Sequence, residues 1–243
     1  MSQNCCAENR IPVYIINYYN QARKERMIKR FEQFGITPYF PPGVELTDER
    51  LINVSPTNEK RVWSIMLQHL DALKHFCKTT NASKCIVAED DIYISKSFSS
   101  DLQEIIPVFD RQNLDILLLG YLLPFKINMD LNNQVWMNHY FPIIDQSINR
   151  KYHRYPNDLW GCQMYLISRQ HAQFLLDKYT VQYALDHPNE PYNPDWIITK
   201  TGNRAIVNPM IAVEEGVNNS NCHSQIDFHQ RCFMTNYDPN LYI

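Results

Sequence analysis

Glycine is scarce in this chain, and the few glycines are spread out. There are 6 glycines and 14 prolines among 243 residues. Glycine-rich loops cradle phosphates in P-loop and dinucleotide-binding proteins, because only glycine lets the backbone approach a phosphate so closely. No segment here has such a pattern. The sequence therefore excludes the usual forms of both phosphate-binding motifs.

The chain also lacks a long apolar run, a strong net charge and a cysteine motif. No stretch reaches membrane-spanning length, and a formal net charge of -3 gives no general nucleic-acid or membrane footprint. The seven cysteines include no Cys-x-x-Cys pair, which favours free thiols in a reducing compartment. With a polar segment at residues 1–10, we expect a cytoplasmic protein with no transmembrane segment and no nucleic-acid partner.

What the sequence does contain is a strand followed by three acids. Cys85–Ala88 is a short apolar run, typical of a buried strand, and Glu89, Asp90 and Asp91 follow it directly. Open α/β folds bind ligands at the carboxyl ends of their strands. Adjacent carboxylates repel one another unless a cation lies among them, and oxygen ligands suit Mg²⁺ or Mn²⁺. A solvated acidic turn is the alternative interpretation.

Hydrophobic periodicity predicts alternating strands and helices along most of the chain. We expect strands at Ile11–Asn17, Ile36–Phe40, Cys85–Ala88, Leu114–Gly120, Gly161–Ile167 and Arg204–Val207. Helices are expected at Ala22–Phe34, Asn58–Lys78, Phe98–Phe109 and Arg169–Tyr179, with a short one opening at Pro194. This alternation predicts one α/β domain over residues 11–243, with a mostly parallel central sheet and helices on both faces, after a flexible segment at residues 1–10.

Two segments lack periodicity, and single histidines and acids stand out elsewhere. Tyr121–Pro156 is expected to be an irregular segment that lines a site, and a polar tail is expected after Pro209. His69 lies on the apolar stripe of the second helix, where a core histidine is commoner than a ligand. Asp195 at the start of the short helix is interpreted either as an N-cap or as a functional acid.

With these elements placed, the sequence resembles glycosyltransferase family 25, which includes lipo-oligosaccharide and procollagen galactosyltransferases. The resemblance rests on an ordered set of motifs over about residues 11–226. These are Val13–Asn17 with Arg23, Arg26, Met27 and Phe31; Ser64 with His69-Leu70; Val87–Asp91; Asp115–Gly120; Gly161 with Tyr165–Ser168 and Ala172; Pro194-Asp195; and Pro209. The serine is displaced relative to the family pattern, and Tyr121–Pro156 has no match.

The resemblance implies an A-type glycosyltransferase fold that transfers a hexose from a UDP-sugar, with inversion, to a hydroxyl of a glycan or glycoprotein. It also implies a nucleotide-sugar half at about residues 11–120 and an acceptor half at about 121–243. For the donor we expect Ile16, Asn17, Arg23, Arg26, Glu89 and Asp90. For Mn²⁺ or Mg²⁺ we expect Asp91, Glu89 and His223, with His229 as the rival histidine.

An inverting transfer needs a base on the side of the sugar opposite the diphosphate. We expect Asp195 in this role, then Asp158, then Glu214 or Glu215. Trp160 and Trp196 are candidates either for stacking on sugar rings or for the core. Two other functions stay open: a catalytically inactive glycan- or nucleotide-sugar-binding relative, and a Mg²⁺-dependent nucleotidyltransferase or phosphohydrolase. The sequence contains no phosphate-cradling loop to support the second.

Overall fold

The computed structural model describes residues 11–54, 57–127, 134–217 and 222–243. The predicted segment at residues 1–10 lies outside these ranges. The described chain contains the α-helices α1 (Gln21–Glu32), α2 (Thr57–Thr79), α3 (Phe98–Arg111), α4 (Gln134–Tyr140), α5 (Arg169–Lys178), α6 (Val181–Asp186), α7 (Pro194–Ile197) and α8 (His223–Asn236). Its strands are β1 (Val13–Ile16), β2 (Lys84–Glu89), β3 (Ile92–Ile94), β4 (Ile116–Leu122), β5 (Ile143–Gln146), β6 (Lys151–His153), β7 (Trp160–Ser168), β8 (Arg204–Asn208) and β9 (Ala212–Glu214).

Seven strands form one sheet in the order β1-β2-β7-β4-β8-β6-β5, and β3 pairs with β9 in a two-stranded sheet. The pairs β1-β2 and β4-β8 are parallel, whereas β6 runs antiparallel to both β8 and β5. Every residue of β1 and β4 is buried. Because successive residues of a strand point to opposite faces, both faces of these strands are shielded from solvent. The predicted α/β class with a mostly parallel sheet is confirmed.

The chain divides into two compact units. The first comprises the described residues up to Asp90 together with Leu166–Thr201, and the second comprises Asp91–Tyr165 and Gly202–Ile243. In the first unit, α2 packs against β1, β2, α5 and α7. In the second, β4 lies against β9, and α8 also contacts β9. Each unit combines segments from before and after residue 120, and the division into a single domain with two halves stays a prediction.

Most predicted elements occur within a few residues of their expected bounds. Asn20 begins α1 by accepting a hydrogen bond from the Arg23 amide, and Gly35, with a φ of +65°, follows its end. Ser168 caps α5, since its hydroxyl accepts from the His171 amide. These local signals work because capping side chains and glycine act within one helical turn of the chain.

Three predictions about local structure were wrong. Ile36–Phe40 forms no strand, and only Tyr39 bridges to β1, through Tyr14. Tyr121–Pro156 is not irregular throughout, because it contains the end of β4, then α4, β5 and β6. The expected tail after Pro209 holds β9 and α8. Strands as short as β6 and β9 have too few residues to show alternation, and their partners are distant in sequence.

None of the helices in the described part of the chain combines the length and the apolar character needed to cross a bilayer. The longest, α2, has 23 residues and carries charged side chains, among them Lys60, Asp71 and Lys74.

Candidate functional site

The carboxyl ends of β1 and β2 bring together three of the predicted donor-binding residues. The parallel register pairs Ile16 with Glu89, so the residues that follow, Asn17 and Asp90, become neighbours. The side-chain amide of Asn17 donates to Asp90 Oδ2, and Arg23 Nη1 donates to Asp90 Oδ1 at 3.1 Å. Asp90 and Asn17 are both buried. We call this group the Asn17–Arg23–Asp90 network.

Two further residues fix this network in place. Gln68 on α2 is buried, and its Nε2 donates to the carbonyl oxygens of Asn17 at 2.9 Å and Pro41 at 3.2 Å. Asn20 caps α1 and thereby sets the position of Arg23 on the first helical turn. Sequence analysis did not identify Gln68 as a functional candidate. The available signal was a polar side chain on the apolar stripe of a helix, which needs a partner when buried.

The other predicted donor-binding residues are less closely gathered. Ile16 is the buried last residue of β1, and Arg26 lies on the exposed side of α1. Glu89 ends β2 half-buried, and one of its carboxylate oxygens lies within 4.8 Å of a ring nitrogen of His69. Full burial lowers the pKa of His69 to about 3, because the charged imidazolium would lose its hydration. At neutral pH the ring is therefore an uncharged donor or ligand.

In the second unit, Asp91 lies beside a carboxylate–histidine pair. The amide of Glu215 donates to the Asp91 carbonyl oxygen at 2.7 Å, directly after the pairing of Ile92 with Glu214. The Nδ1 atom of His229 lies 2.7 Å from a Glu214 carboxylate oxygen, and the Glu214 side chain is only 9% exposed. Backbone pairing between β3 and β9 thus brings Asp91, Glu214 and His229 into one region.

The two candidate histidines lie on one helix but differ in surroundings. His223 is the first residue of α8 and is exposed, whereas His229 is half-buried and paired with Glu214. Six residues correspond to about 240° around a helix, so the two rings point to different sides of α8. The metal set of Glu89, Asp91 and His223 stays a prediction. Among the described residues, His229 is the histidine with a carboxylate partner close to the Asp91 strand.

The preferred base, Asp195, is not the cap of its helix. Asn193 caps α7, and its Oδ1 accepts from the Trp196 amide at 2.9 Å. The N-cap interpretation of Asp195 was therefore wrong, because the capping position lies two residues earlier. Asp195 is half-buried, and Asp158 is exposed in the turn before β7. The role of each as a base stays a prediction.

The remaining candidates are two tryptophans and two glutamates, and their side chains differ in solvent exposure. Trp160 is 47% exposed and Trp196 is 36% exposed, so neither ring belongs to the core. Glu215 is half-buried, whereas Glu214 is held by His229. In this pair a Glu214 carboxylate oxygen already lies 2.7 Å from the His229 ring nitrogen, so it is less open to the hydroxyl of a sugar acceptor. Of the two third-ranked bases, Glu215 is thus the one whose side chain is outside that pair.

Comparison with protein families gives a match to part of the chain. The model of glycosyltransferase family 25 (LPS biosynthesis protein) matches residues 69–188. This segment contains the acidic triplet and the Gly161 to Ser168 motif, and the match bears out the resemblance suggested by the sequence motifs. The first strand and helix, Pro194-Asp195 and Pro209 lie outside the matched segment. No curated protein matches the chain.

Several solved structures match the chain at low similarity. The structure of A197 from STIV is 12% identical, covers 81% of each chain and gives a TM-score of 0.42. The mannose-1-phosphate geranyltransferase from Thermus thermophilus is 10% identical over 81% of this chain and 73% of that one, with a TM-score of 0.41. HddC from Yersinia pseudotuberculosis complexed with GMP-PN is 12% identical over 93% and 99%, with a TM-score of 0.37. These values are too low to support a functional argument.

Proposed function

We propose that this protein is a metal-dependent, inverting glycosyltransferase of A-type fold that moves a hexose from a UDP-sugar to a hydroxyl of a glycan or glycoprotein. The family match supports glycosyl transfer in general. The UDP donor, the metal, the inversion and the A-type fold are parts of the proposal that the resemblance to the family implies, and the side chains described above support the donor site and the metal site.

The observation that carries the proposal is the Asn17–Arg23–Asp90 network at the carboxyl edge of β1 and β2. Ligands of open α/β sheets bind at this edge. The network holds a guanidinium beside the strand ends, close to where a nucleotide diphosphate would need a cation. Asn17, at the end of β1, is our candidate for the uracil contact. Three side chains chosen from separate parts of the sequence thus support one donor site.

We propose that the ion is held beside Asp91. The donor set of the residues there combines carboxylate oxygens with one imidazole, which suits Mn²⁺ better than the purely oxygen-ligated Mg²⁺. Histidines that bind metals usually hold a carboxylate through the other ring nitrogen, as His229 does with Glu214. We therefore assign Asp91 and His229 as the residues that would hold the ion. Such an ion would neutralise the charge that develops on the departing diphosphate.

The transfer itself needs one proton acceptor. The acceptor hydroxyl oxygen attacks the anomeric carbon, the bond from that carbon to the diphosphate oxygen breaks, and UDP leaves. The hydroxyl proton passes to a carboxylate, for which Asp195 is our first choice and Asp158 the second. Asn193 performs the capping of α7, so the carboxylate of Asp195 is not needed for that purpose.

Thermal unfolding with nucleotide sugars tests the donor and the metal together. UDP, UDP-galactose, UDP-glucose and UDP-N-acetylglucosamine are each added with Mn²⁺ or with a chelator. A ligand at a hundred times its Kd adds about 2.7 kcal/mol to the free energy of unfolding, which raises Tm measurably. We expect stabilisation by at least one UDP-sugar only when Mn²⁺ is present.

A pair of variants gives this test its control. Asp91→Ala should lose the Mn²⁺-dependent stabilisation, whereas Asp227→Ala, an exposed aspartate of α8, should keep it. Retained stabilisation in Asp91→Ala would contradict the metal assignment. Release of UDP from the stabilising sugar then separates a working transferase from the inactive relative, because only the former breaks the bond to the diphosphate.

A further inference from the structure

A cavity of about 600 Å³ lies within the first unit, away from the Asn17–Arg23–Asp90 network. It is formed by the start of α2 and by the segment between α6 and α7, and its lining includes Trp63, Tyr192 and Asn193. Its volume is within the range of about 300–1,000 Å³ that small-molecule sites occupy. None of the roles assigned above uses this cavity. We call it the Trp63 cavity.

One side of the Trp63 cavity is aromatic and rigidly supported. The ring of Trp63 lies 4.9 Å from that of Tyr192, measured between centroids, with 60° between their planes. Tyr192 is buried, and its hydroxyl donates to the Tyr179 carbonyl oxygen at 3.0 Å. Trp63 itself is half-buried and lines the cavity. A fixed, partly exposed aromatic ring is a surface on which the apolar face of a sugar can pack.

Polar side chains surround this ring. Asn53, Asn189 and Glu59 line the cavity, and all three are exposed. Within the ranges that the structure describes, none of these side chains makes a hydrogen bond to another residue. An amide offers a donor and an acceptor side by side, and a carboxylate offers two acceptors. This combination matches neighbouring hydroxyls of a sugar, each of which both donates and accepts.

The charge of the Trp63 cavity disfavours a phosphorylated ligand. Glu59 and Glu190 contribute two carboxylates, and no lysine or arginine is among its lining residues in the described chain. Two negative charges with no compensating cation in the lining repel a diphosphate. The cavity is therefore unsuited to the nucleotide part of a donor and suited to an uncharged carbohydrate.

One residue that lines the cavity, Asn193, lies two positions before the proposed base, Asp195. Asn193 also caps α7, the helix whose second residue is Asp195. We infer that the Trp63 cavity binds an uncharged pyranose residue of the acceptor, with its apolar face on Trp63 and its hydroxyls on Asn53, Asn189 and Glu59. The identification of the bound sugar as part of the acceptor rests on the proposed function. The sugar site itself rests only on the cavity.

Saturation-transfer NMR on the full chain tests the inference directly. The probes are methyl β-galactopyranoside, methyl β-glucopyranoside and the methyl glycoside of N-acetylglucosamine, with glucose 6-phosphate as the charged control. We expect signals from at least one methyl glycoside and none from the phosphate. Trp63→Ala should weaken binding about tenfold, because it removes the stacking surface, and Trp63→Phe should keep part of it.

Asn189→Ala is the second variant, chosen because substitution of an exposed loop residue leaves the core packing intact. Its matched control is Asn81→Ala, also exposed, beyond the far end of α2. Trp63 and the end of that helix are about 24 Å apart, at about 1.5 Å per residue. Asn189→Ala should weaken glycoside binding and Asn81→Ala should not. Equal signals in all variants, no signal from any methyl glycoside, or displacement by UDP with Mn²⁺ would each overturn the inference.

The two proposals fail in different ways. If UDP-sugars do not stabilise the protein with Mn²⁺, the proposed function is wrong, yet the glycoside signals and their loss in Trp63→Ala are still expected. If UDP-sugars stabilise the protein but no methyl glycoside binds in the cavity, the proposed function stands and the cavity assignment is wrong.

Discussion

The carboxylate of Asp90 is expected to stabilise the protein more through Asn17 than through Arg23. Asp90 is 7% exposed and Asn17 is 8% exposed, whereas the Arg23 side chain is 22% exposed. The Asn17 amide nitrogen donates to both the Asn20 carbonyl oxygen and Asp90. Removing Asp90 leaves one of these two N–H groups buried without an acceptor, but Arg23 can turn towards water.

The two contacts of Asp90 are therefore expected to differ in their contribution to the free energy of unfolding. A hydrogen bond to a charged group contributes about 1.5–3 kcal/mol, and an ion pair open to solvent about 0.2–1 kcal/mol. Because the Arg23 side chain is 22% exposed, we expect its partly buried pair with Asp90 to contribute near the upper end of the second range. We expect Asp90→Ala to lower the free energy of unfolding by about 2–3 kcal/mol. In double-mutant cycles with alanine, we expect a coupling of about 1.5 kcal/mol between Asp90 and Asn17, and below about 1 kcal/mol between Asp90 and Arg23.

Urea unfolding followed by circular dichroism measures both cycles, provided that the slope with urea stays constant. Repeating the two cycles at high salt distinguishes the Arg23 contact from the Asn17 contact. The Arg23 coupling should shrink as salt screens a partly exposed pair, while the buried Asn17 coupling should change little. Lys29→Ala, on the exposed side of α1, serves as the control and should be additive with Asp90→Ala.

Additivity of Asn17→Ala and Asp90→Ala, within about 0.3–0.5 kcal/mol, would refute this reasoning. A coupling to Arg23 larger than that to Asn17 would refute it as well. Either result would mean that burial does not decide the strength of these contacts.

Three further predictions concern the metal, the base and a buried histidine. His229→Gln should weaken Mn²⁺-dependent UDP binding at least about tenfold in calorimetry, while His223→Gln should not; the reverse would favour His223. Asp195→Asn should lower kcat by about two to four orders of magnitude with donor binding unchanged, and near-normal turnover would move the base to Asp158. His69 has a folded-state pKa of about 3 against an ordinary 6.5, so its neutral form contributes stability above about pH 6.5 that is lost as pH falls towards 3. Urea midpoints at pH 7 and 5 should therefore differ less in His69→Leu than in the natural protein, and equal differences would contradict the shift.

The sequence by itself determined the long elements and the acidic triplet. Helices such as α2 and strands such as β4 carry enough periodic or continuous apolar residues to be read from one segment. Ser168 was predictable as a cap because a cap acts on the next turn of the same segment. The ordered motifs, with Val87–Asp91 among them, also sufficed to suggest the family.

Only the tertiary structure decided which of the chemically active residues meet. Asn17 and Asp90 are 73 positions apart, and a parallel strand register makes them neighbours. We prefer His229 over His223 as the proposed metal ligand because α8 turns the His229 ring towards Glu214. Sequence periodicity did not predict this helix. The Trp63 cavity likewise needs two segments that are distant in the sequence, one at the start of α2 and one between α6 and α7. Such contacts depend on pairing and packing between distant segments, which no local pattern encodes.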